Sequence, residues 1–145
     1  MTLLLILWAL VAAILVTLVT CLQVLYLESL RIRARELPAL QFFKETLEKK
    51  LGLDMERGSL AFSLVKHVGL AIIGSLAMAI AIEAQNSLAE SLLIACLSGG
   101  IYTVVGTYIV PQIFYRRTSG HLLVPLIPLF RAMVLAVTPL LWALE

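Results

Sequence analysis

One apolar stretch of the chain reads LAESLLIACLSGGIYTVVGTYIVPQIFYRR from Leu88 to Arg117. Residues 88–115 are apolar or small almost throughout, and polar positions do not alternate with apolar ones. About 20 such residues in a helix cross the ~30 Å hydrocarbon core of a bilayer, where only helices and closed barrels satisfy their backbone groups. The stretch therefore predicts a membrane-spanning helix.

Three further apolar runs cover residues 2–27, 60–82 and 122–144. The 145 residues are 61% hydrophobic and 14% charged, whereas soluble domains are about half apolar and a quarter charged. The first run has no basic segment before it and is longer than the apolar core of a signal peptide, so we expect a retained helix. These patterns predict an all-α integral membrane protein, embedded in a lipid bilayer.

The basic residues predict the orientation of the chain in the membrane. Residues 28–59 contain seven Lys and Arg, residues 116–121 contain two, and residues 83–89 contain none. Cytoplasmic loops collect Lys and Arg. We therefore expect the first and third links to be cytoplasmic and the N-terminus outside, in the plasma (inner) membrane.

The first link contains an amphipathic segment after Pro38. Its apolar residues recur at three- and four-residue steps: Leu37, Leu40, Phe43, Leu47 and Leu51. This spacing predicts a helix over about 36–52 with one apolar face, and Gly52 as its C-cap. The face suits either the membrane interface or packing against the rest of the protein.

The last apolar run differs from the others. Arg131 lies near its centre, and Pro125, Pro128 and Pro139 interrupt it. A charge at mid-bilayer costs at least ~2.5 kcal/mol, and each proline removes a backbone donor. We expect a broken, re-entrant or interfacial helix pair over about 120–144, rather than a fourth full span. The predicted architecture is one domain, 1–145, with three transmembrane helices (2–27, 60–82, 88–115), a cytoplasmic belt of short amphipathic or re-entrant helices, and a cytoplasmic C-terminus.

Several function classes find no support in the sequence. Motifs of hydrolases, metalloproteases and nucleotide-binding enzymes are absent, so we expect no enzymatic activity. The net charge is only +2, and the basic residues form no stripe that would bind nucleic acid. Cys21 and Cys96 lie inside apolar runs without metal-ligand spacing.

Polar residues inside the expected spans are the candidates for an ion pathway. Lys66 and His67 are the basic residues there; Lys66 either forms part of a site or extends to the interface, and His67 is either a helix contact or a ligand. Small and hydroxyl residues allow either close helix packing or a polar cavity. The full candidate set is Gln23, Ser63, Lys66, His67, Gly69, Ser75, Thr103, Thr107, Tyr108 and Pro111.

A resemblance to a known family rests on the C-terminal half of the chain. Its spaced residues are Pro111, Arg116-Arg117, Pro128, Arg131, Pro139 and Trp142. Together with Ser29-Leu30 and the basic stretch after it, they resemble the transmembrane domain of the CNNM/CorC family of magnesium transport proteins. The resemblance implies three spans, a cytoplasmic helical belt, a dimer and a bend at Pro111. It also implies Mg²⁺ as the cofactor or cargo.

The chain departs from the family at the residues that suit a magnesium ion. The family's glutamate before the proline corresponds to Tyr108, or to Thr107 when counted from Gly106, and its lysine to Gln112. The early Ser-Glu of the family falls on Gln23-Val24, and its Gly-Asn-Thr falls on residues 69–71. We therefore expect that this chain alone does not hold Mg²⁺ in the family manner, and that the Lys66 ammonium takes the place of the cation.

Three functions remain open at this point. A cation transporter with a rebuilt site predicts a cavity lined by Gln23, Ser63, Ser75, Thr103 and Thr107. A non-transporting subunit, as a homodimer or paired with an intact relative, predicts a closed interior. An unrelated membrane scaffold is the third. The family usually appends nucleotide-binding domains after the membrane part, and none follows Trp142 within these residues, which fits a stand-alone domain or the membrane part of a longer protein.

Overall fold

The computed structural model describes residues 1–31 and 37–143, and every regular element in those ranges is helical. In chain order the α-helices are α1 (Thr2–Leu30), α2 (Pro38–Phe42), α3 (Glu48–Leu51), α4 (Met55–Glu83), α5 (Leu88–Val104), α6 (Val110–Arg117) and α7 (Ile127–Trp142). The expected all-α class is confirmed. The start of the predicted 36–52 helix, part of the basic stretch and the end of the predicted 120–144 helix lie outside the described residues.

Within the described residues, four helices are by length and composition apolar enough to cross a membrane, one more than the three expected spans. They are Thr2–Leu30, Met55–Glu83, Leu88–Arg117 and His121–Trp142. The first two have 29 residues each, or about 44 Å at 1.5 Å per residue. Both helices extend beyond the predicted spans, residues 2–27 and 60–82, because the helical backbone continues through the polar residues next to each apolar run.

The third long helix contains a wider turn. Ser87 begins it with a capping box, in which its hydroxyl accepts from the Glu90 N–H and the Glu90 carboxylate accepts from the Ser87 N–H. A π-helical turn at Val105–Ile109 then joins α5 to α6. The turn lies directly before Pro111, so the proline is accompanied by a change of helix type and the helical path continues to Arg117.

The amphipathic segment of the first link packs inside the protein. α2 and α3 are joined by a π-helical turn at Phe43–Leu47, and Leu40, Phe43, Leu47 and Leu51 are all buried. The predicted apolar face is confirmed, and its side chains pack against the rest of this chain. Gly52 ends the segment at φ 67° as the predicted C-cap.

The last apolar run is divided into two elements. A 3₁₀-helix at His121–Leu126 contains Pro125, and α7 follows with Pro128 in its first turn. Pro128 is tolerated there because its missing N–H would be unpaired at a helix start anyway. The run therefore changes from a 3₁₀-helix to an α-helix at Ile127 along one continuous helical path, and Pro139 lies inside α7.

Aromatic rings join α1, α4, α7 and the amphipathic segment at one end of the bundle. Tyr26 meets Phe43 edge-on at 4.7 Å between centroids and stacks on Phe62 at 5.6 Å. Phe62 in turn meets Phe130 edge-on at 6.0 Å. All four side chains are fully buried. Such pairs contribute about 0.5–1.5 kcal/mol each beyond the area they bury.

Two glycines allow α1 and α4 to approach closely. A Cβ at Gly58 would overlap the Tyr26 ring, and a Cβ at Gly69 would overlap the Val16 side chain. These contacts fix the antiparallel register of the two helices, with 58 opposite 26 and 69 opposite 16. By this register Lys66 is level with Leu18 and Val19 of α1, next to Thr20.

We expect Gly58→Ala to destabilise the protein by roughly 1–3 kcal/mol, because the Tyr26 ring is held between Phe43 and Phe62 and has no space to move. Thermal unfolding of the purified protein in detergent, followed by tryptophan fluorescence, measures the change. The matched control is Gly74→Ala in the same helix, where a Cβ meets nothing within 4 Å. Since alanine is the better helix former by about 1 kcal/mol, the control is expected to be neutral or stabilising. Equal losses in both variants would contradict the close-approach role of Gly58.

Candidate functional site

A polar cleft of about 230 Å³ lies between α1, α4 and the junction of α5 with α6. Its polar lining comes from three separate parts of the sequence: Thr20, Gln23, Glu28, Arg31, Lys66, Thr107, Tyr108 and Gln112. Gln23 and Thr107 are buried, at 6% exposure each. In a chain this apolar, such a group of polar side chains between membrane-type helices is the foremost candidate for a functional site.

Lys66 faces this cleft. It is half-buried and lies eleven residues after the first residue of α4, or about 16 Å along the helix. The helix starts five residues before the predicted residue 60, so Lys66 lies deeper along it than the sequence suggested. Thr20, Gln23 and Thr107 line the same cleft as Lys66.

The two threonines of the cleft present lone pairs rather than hydrogens. Thr20 Oγ1 donates to the Val16 carbonyl at 2.7 Å, and Thr107 Oγ1 donates to the Thr103 carbonyl at 2.6 Å. A hydroxyl has one hydrogen and two lone pairs, so each oxygen can still accept. An ammonium has three donors and no acceptor. The cleft therefore suits a positively charged group, and Lys66 supplies one.

The wide turn before Pro111 brings Thr107 and Tyr108 to the cleft. Pro111 has no N–H for the carbonyl four residues earlier, which is that of Thr107. Within the π-helical turn, the Val110 N–H instead donates to the Val105 carbonyl, five residues back. One extra residue per turn changes which side chains face α1, and π-turns of this kind occur frequently at functional sites. Pro111 itself is buried and acts through the backbone.

An ion pair lies at one edge of the cleft. Arg31 Nη1 is 3.0 Å from Glu28 Oε1. The carboxylate of the cleft is thus already paired with a cation of the same helix. In residues 1–31 and 37–143, no three His, Cys, Asp or Glu side chains come together in a group that could hold a metal ion.

Six of the ten predicted candidates do not line the polar cleft: Ser63, His67, Gly69, Ser75, Thr103 and Pro111. His67 is exposed, and its Nδ1 is 2.6 Å from the Ser63 carbonyl one turn back. Ser75 donates to the Ala71 carbonyl and Thr103 to the Gly99 carbonyl. Gly69 lines a separate, apolar cleft of about 250 Å³ between α1, α4 and α7. Gln23, Lys66, Thr107 and Tyr108 are the candidates that the fold brings together.

Four polar residues of the lining were not among the candidates: Thr20, Glu28, Arg31 and Gln112. Thr20, Gln23, Glu28 and Arg31 recur at three- to five-residue steps along α1. This periodicity, which marks one face of a helix, was the available signal. A second polar contact was also missed: the Tyr102 hydroxyl donates to the Ala13 carbonyl at 2.6 Å and lies 3.0 Å from Thr17 Oγ1, joining α5 to α1.

Comparison of the chain with family models, with curated proteins and with solved structures found no match.

Proposed function

We propose that this chain is a membrane domain of the CNNM/CorC type, linked to cation transport, in which the Lys66 ammonium occupies the place of the cation. The observation that carries the proposal is the convergence in one cleft of positions far apart in sequence. Gln23, Tyr108 and Gln112 are counterparts of family residues by the resemblance, and all three line the polar cleft together with Lys66. The counterpart of the family's Gly-Asn-Thr, residues 69–71, departs from this pattern, since Gly69 lines the apolar cleft instead.

Electrostatics support a tethered cation in this cleft. Two unit charges 4 Å apart interact by about 4 kcal/mol at an effective dielectric of 20, and a divalent ion doubles the repulsion. In a cleft of about 230 Å³, an ammonium and a Mg²⁺ ion would lie only a few ångströms apart. The Glu28 carboxylate, already bonded to Arg31, does not offset this. On this reasoning, the chain by itself does not transport Mg²⁺.

The finer topology belongs to the same proposal: three full spans and a cytoplasmic belt that includes α7. α7 alone has 16 residues, or about 24 Å, which is short of the ~30 Å hydrocarbon core. Together with the 3₁₀-helix before it, the 22 residues of His121–Trp142 are long enough to cross, so the proposal of three spans rests on Arg131 and the prolines of this run. Its Phe130 joins the aromatic cluster at the end of the bundle where α4 begins. That end also carries Arg116 and Arg117. Cytoplasmic loops are rich in such residues, so α7 starts at the cytoplasmic side, and the proposal puts the end of the chain on that side as well.

A dimer completes the proposal, with α5 as the contact helix. Gly99 and Gly100 of α5 have no atom of this chain within 4 Å of their Cβ positions. Around them Leu97, Ser98, Ile101 and Cys96 are exposed. Small residues let helices approach closely in a membrane, and here no helix of the same described chain uses them. A second copy of this chain, or a related membrane domain, fits this face.

Removal of the tethered ammonium, together with a new carboxylate, is expected to create a magnesium pathway. In proteoliposomes holding only this protein, we expect no Mg²⁺ flux for the unmodified chain and measurable flux for the double variant Lys66→Met with Tyr108→Glu. Flux is followed with an enclosed Mg²⁺-sensitive dye. His67→Ala is the matched control, because His67 neighbours Lys66 but lies outside the cleft. Mg²⁺ flux through the unmodified chain would contradict the proposal and favour a transporter with a rebuilt site.

Cysteine labelling tests the position of the C-terminal end. The starting variant has no native cysteine (Cys21→Ser, Cys96→Ser). Three variants each carry one new cysteine, Asn86→Cys, Ser119→Cys or Ala143→Cys, and intact cells are treated with a membrane-impermeant maleimide. We expect labelling at Asn86→Cys only, since the other two positions are cytoplasmic in the proposed topology. Labelling at Ala143→Cys from outside would mean that His121–Trp142 crosses the membrane as a fourth span.

The native cysteines test the dimer. Cys96 is exposed on α5, whereas Cys21 is buried in α1. A short bis-maleimide applied to membranes is expected to produce a dimer that is lost in Cys96→Ser and retained in Cys21→Ser. A cross-linked species that contains a different chain would mean a heterodimer. Monomeric protein after cross-linking, with a monomeric mass in mild detergent, would contradict a dimer through α5.

A further inference from the structure

Arg131 is a cation without a carboxylate partner in the described part of the chain. It lies in the second turn of α7, is exposed, and donates from Nη2 to the main-chain carbonyl of Lys50 near the end of α3. The last carbonyls of a helix carry partial negative charge, which orients the guanidinium. Among the described residues, Met1 pairs with Glu83 and Arg31 with Glu28, and neither pair involves Arg131. The remaining N–H groups of Arg131 are therefore available for an anion.

A groove of about 320 Å³ extends from Arg131 along α7. Its walls are Leu51, Leu53, Val134 and Leu135, with Thr138 two turns after Arg131. Thr138 Oγ1 donates to the Val134 carbonyl at 2.8 Å, so its hydrogen is already used. The groove thus has a cationic group at one position and an apolar lining over roughly 10 Å of helix.

The charges near the groove favour an anion. Lys49 and Lys50 are exposed at the end of α3, beside Arg131. The acidic residues of the adjoining segment are Glu45, Glu48, Asp54 and Glu56. None of these four lines the groove or forms an ion pair with Arg131. The charge at the groove itself is therefore that of Arg131, to which Lys50 is joined through its main-chain carbonyl.

We propose that this groove binds an anionic phospholipid, with the phosphate on Arg131 and an acyl chain along Leu53, Val134 and Leu135. Leu135 is 72% exposed on the same side of α7 as Arg131, so in a bilayer it faces hydrocarbon. Arg131 precedes it by one turn, or about 6 Å, which is the distance over which hydrocarbon gives way to headgroups. A guanidinium matches a phosphate with two parallel hydrogen bonds, and Lys49 and Lys50 add attraction for a negative headgroup.

Native mass spectrometry of the full chain in mild detergent tests this inference, with palmitoyl-oleoyl phosphatidylglycerol as the probe and the matching phosphatidylcholine as the neutral comparison. We expect one phosphatidylglycerol bound in preference to phosphatidylcholine. Arg131→Gln is expected to weaken its binding about fivefold or more, and Arg131→Lys to weaken it less, because the charge remains. Soluble glycerol phosphate is not expected to compete, since it lacks the acyl chains.

Two further variants make the outcome decisive. Arg116→Gln removes an exposed arginine outside the groove and is expected to leave binding unchanged. Leu135→Trp fills the groove at an exposed position. This variant is expected to fold and to bind the lipid more weakly, so it tests the groove even if Arg131→Gln does not fold. Equal binding in Arg131→Gln and the unmodified protein, or an equal loss in Arg116→Gln, would overturn the proposal. Competition by glycerol phosphate would overturn the lipid as the source of the phosphate. Dissociation of a dimer in Arg131→Gln would assign the arginine to a protein carboxylate instead.

Discussion

The close approach of α1 and α4 determines where every other part of this protein lies. In a membrane, lipid tails are as apolar as the helices, so helix association depends on shape and on polar contacts between helices. Here the Tyr26 ring rests on Gly58 and the Val16 side chain on Gly69. The resulting register puts Lys66 opposite Leu18 and Val19, close to Thr20 and Gln23, and without it the polar side chains of the two helices would not meet in one cleft.

The third long helix completes the cleft through its irregular turn. In a regular α-helix from Leu88 to Arg117, the same face would return every 3.6 residues. The π-helical turn at Val105–Ile109 contains one residue more than a regular turn and so shifts the faces that follow it. Pro111 makes this turn easier to form because it has no N–H to contribute to the regular pattern. The outcome is a lining in which hydroxyl lone pairs of Thr20 and Thr107 accompany the ammonium of Lys66. The lysine adds a positive charge to a lining that is otherwise made of polar and apolar side chains and one ion pair.

The short amphipathic segment has a second role besides covering the core. Its apolar face enters the aromatic cluster through Phe43, and the end of α3 presents the Lys50 carbonyl to Arg131. The same segment thus covers the core at the basic end of the bundle and orients a charged side chain beside an apolar groove. Core packing and a lipid-facing surface are coupled through fourteen residues, Pro38–Phe42 to Glu48–Leu51.

The sequence by itself determined the features that depend on local spacing. The length of the apolar runs predicted the helical membrane class, the three- and four-residue steps predicted the buried face of Leu40, Phe43 and Leu47, and Gly52 predicted the end of that segment. The tertiary structure alone decided which polar residues meet. Gln23, Lys66 and Thr107 share a cleft. In contrast, the Ser75 hydroxyl donates to the Ala71 carbonyl of its own helix, and the main-chain carbonyl of Ser63 contacts His67 one turn later. This difference depends on the register between helices and on one extra residue in a turn, which composition and periodicity do not encode.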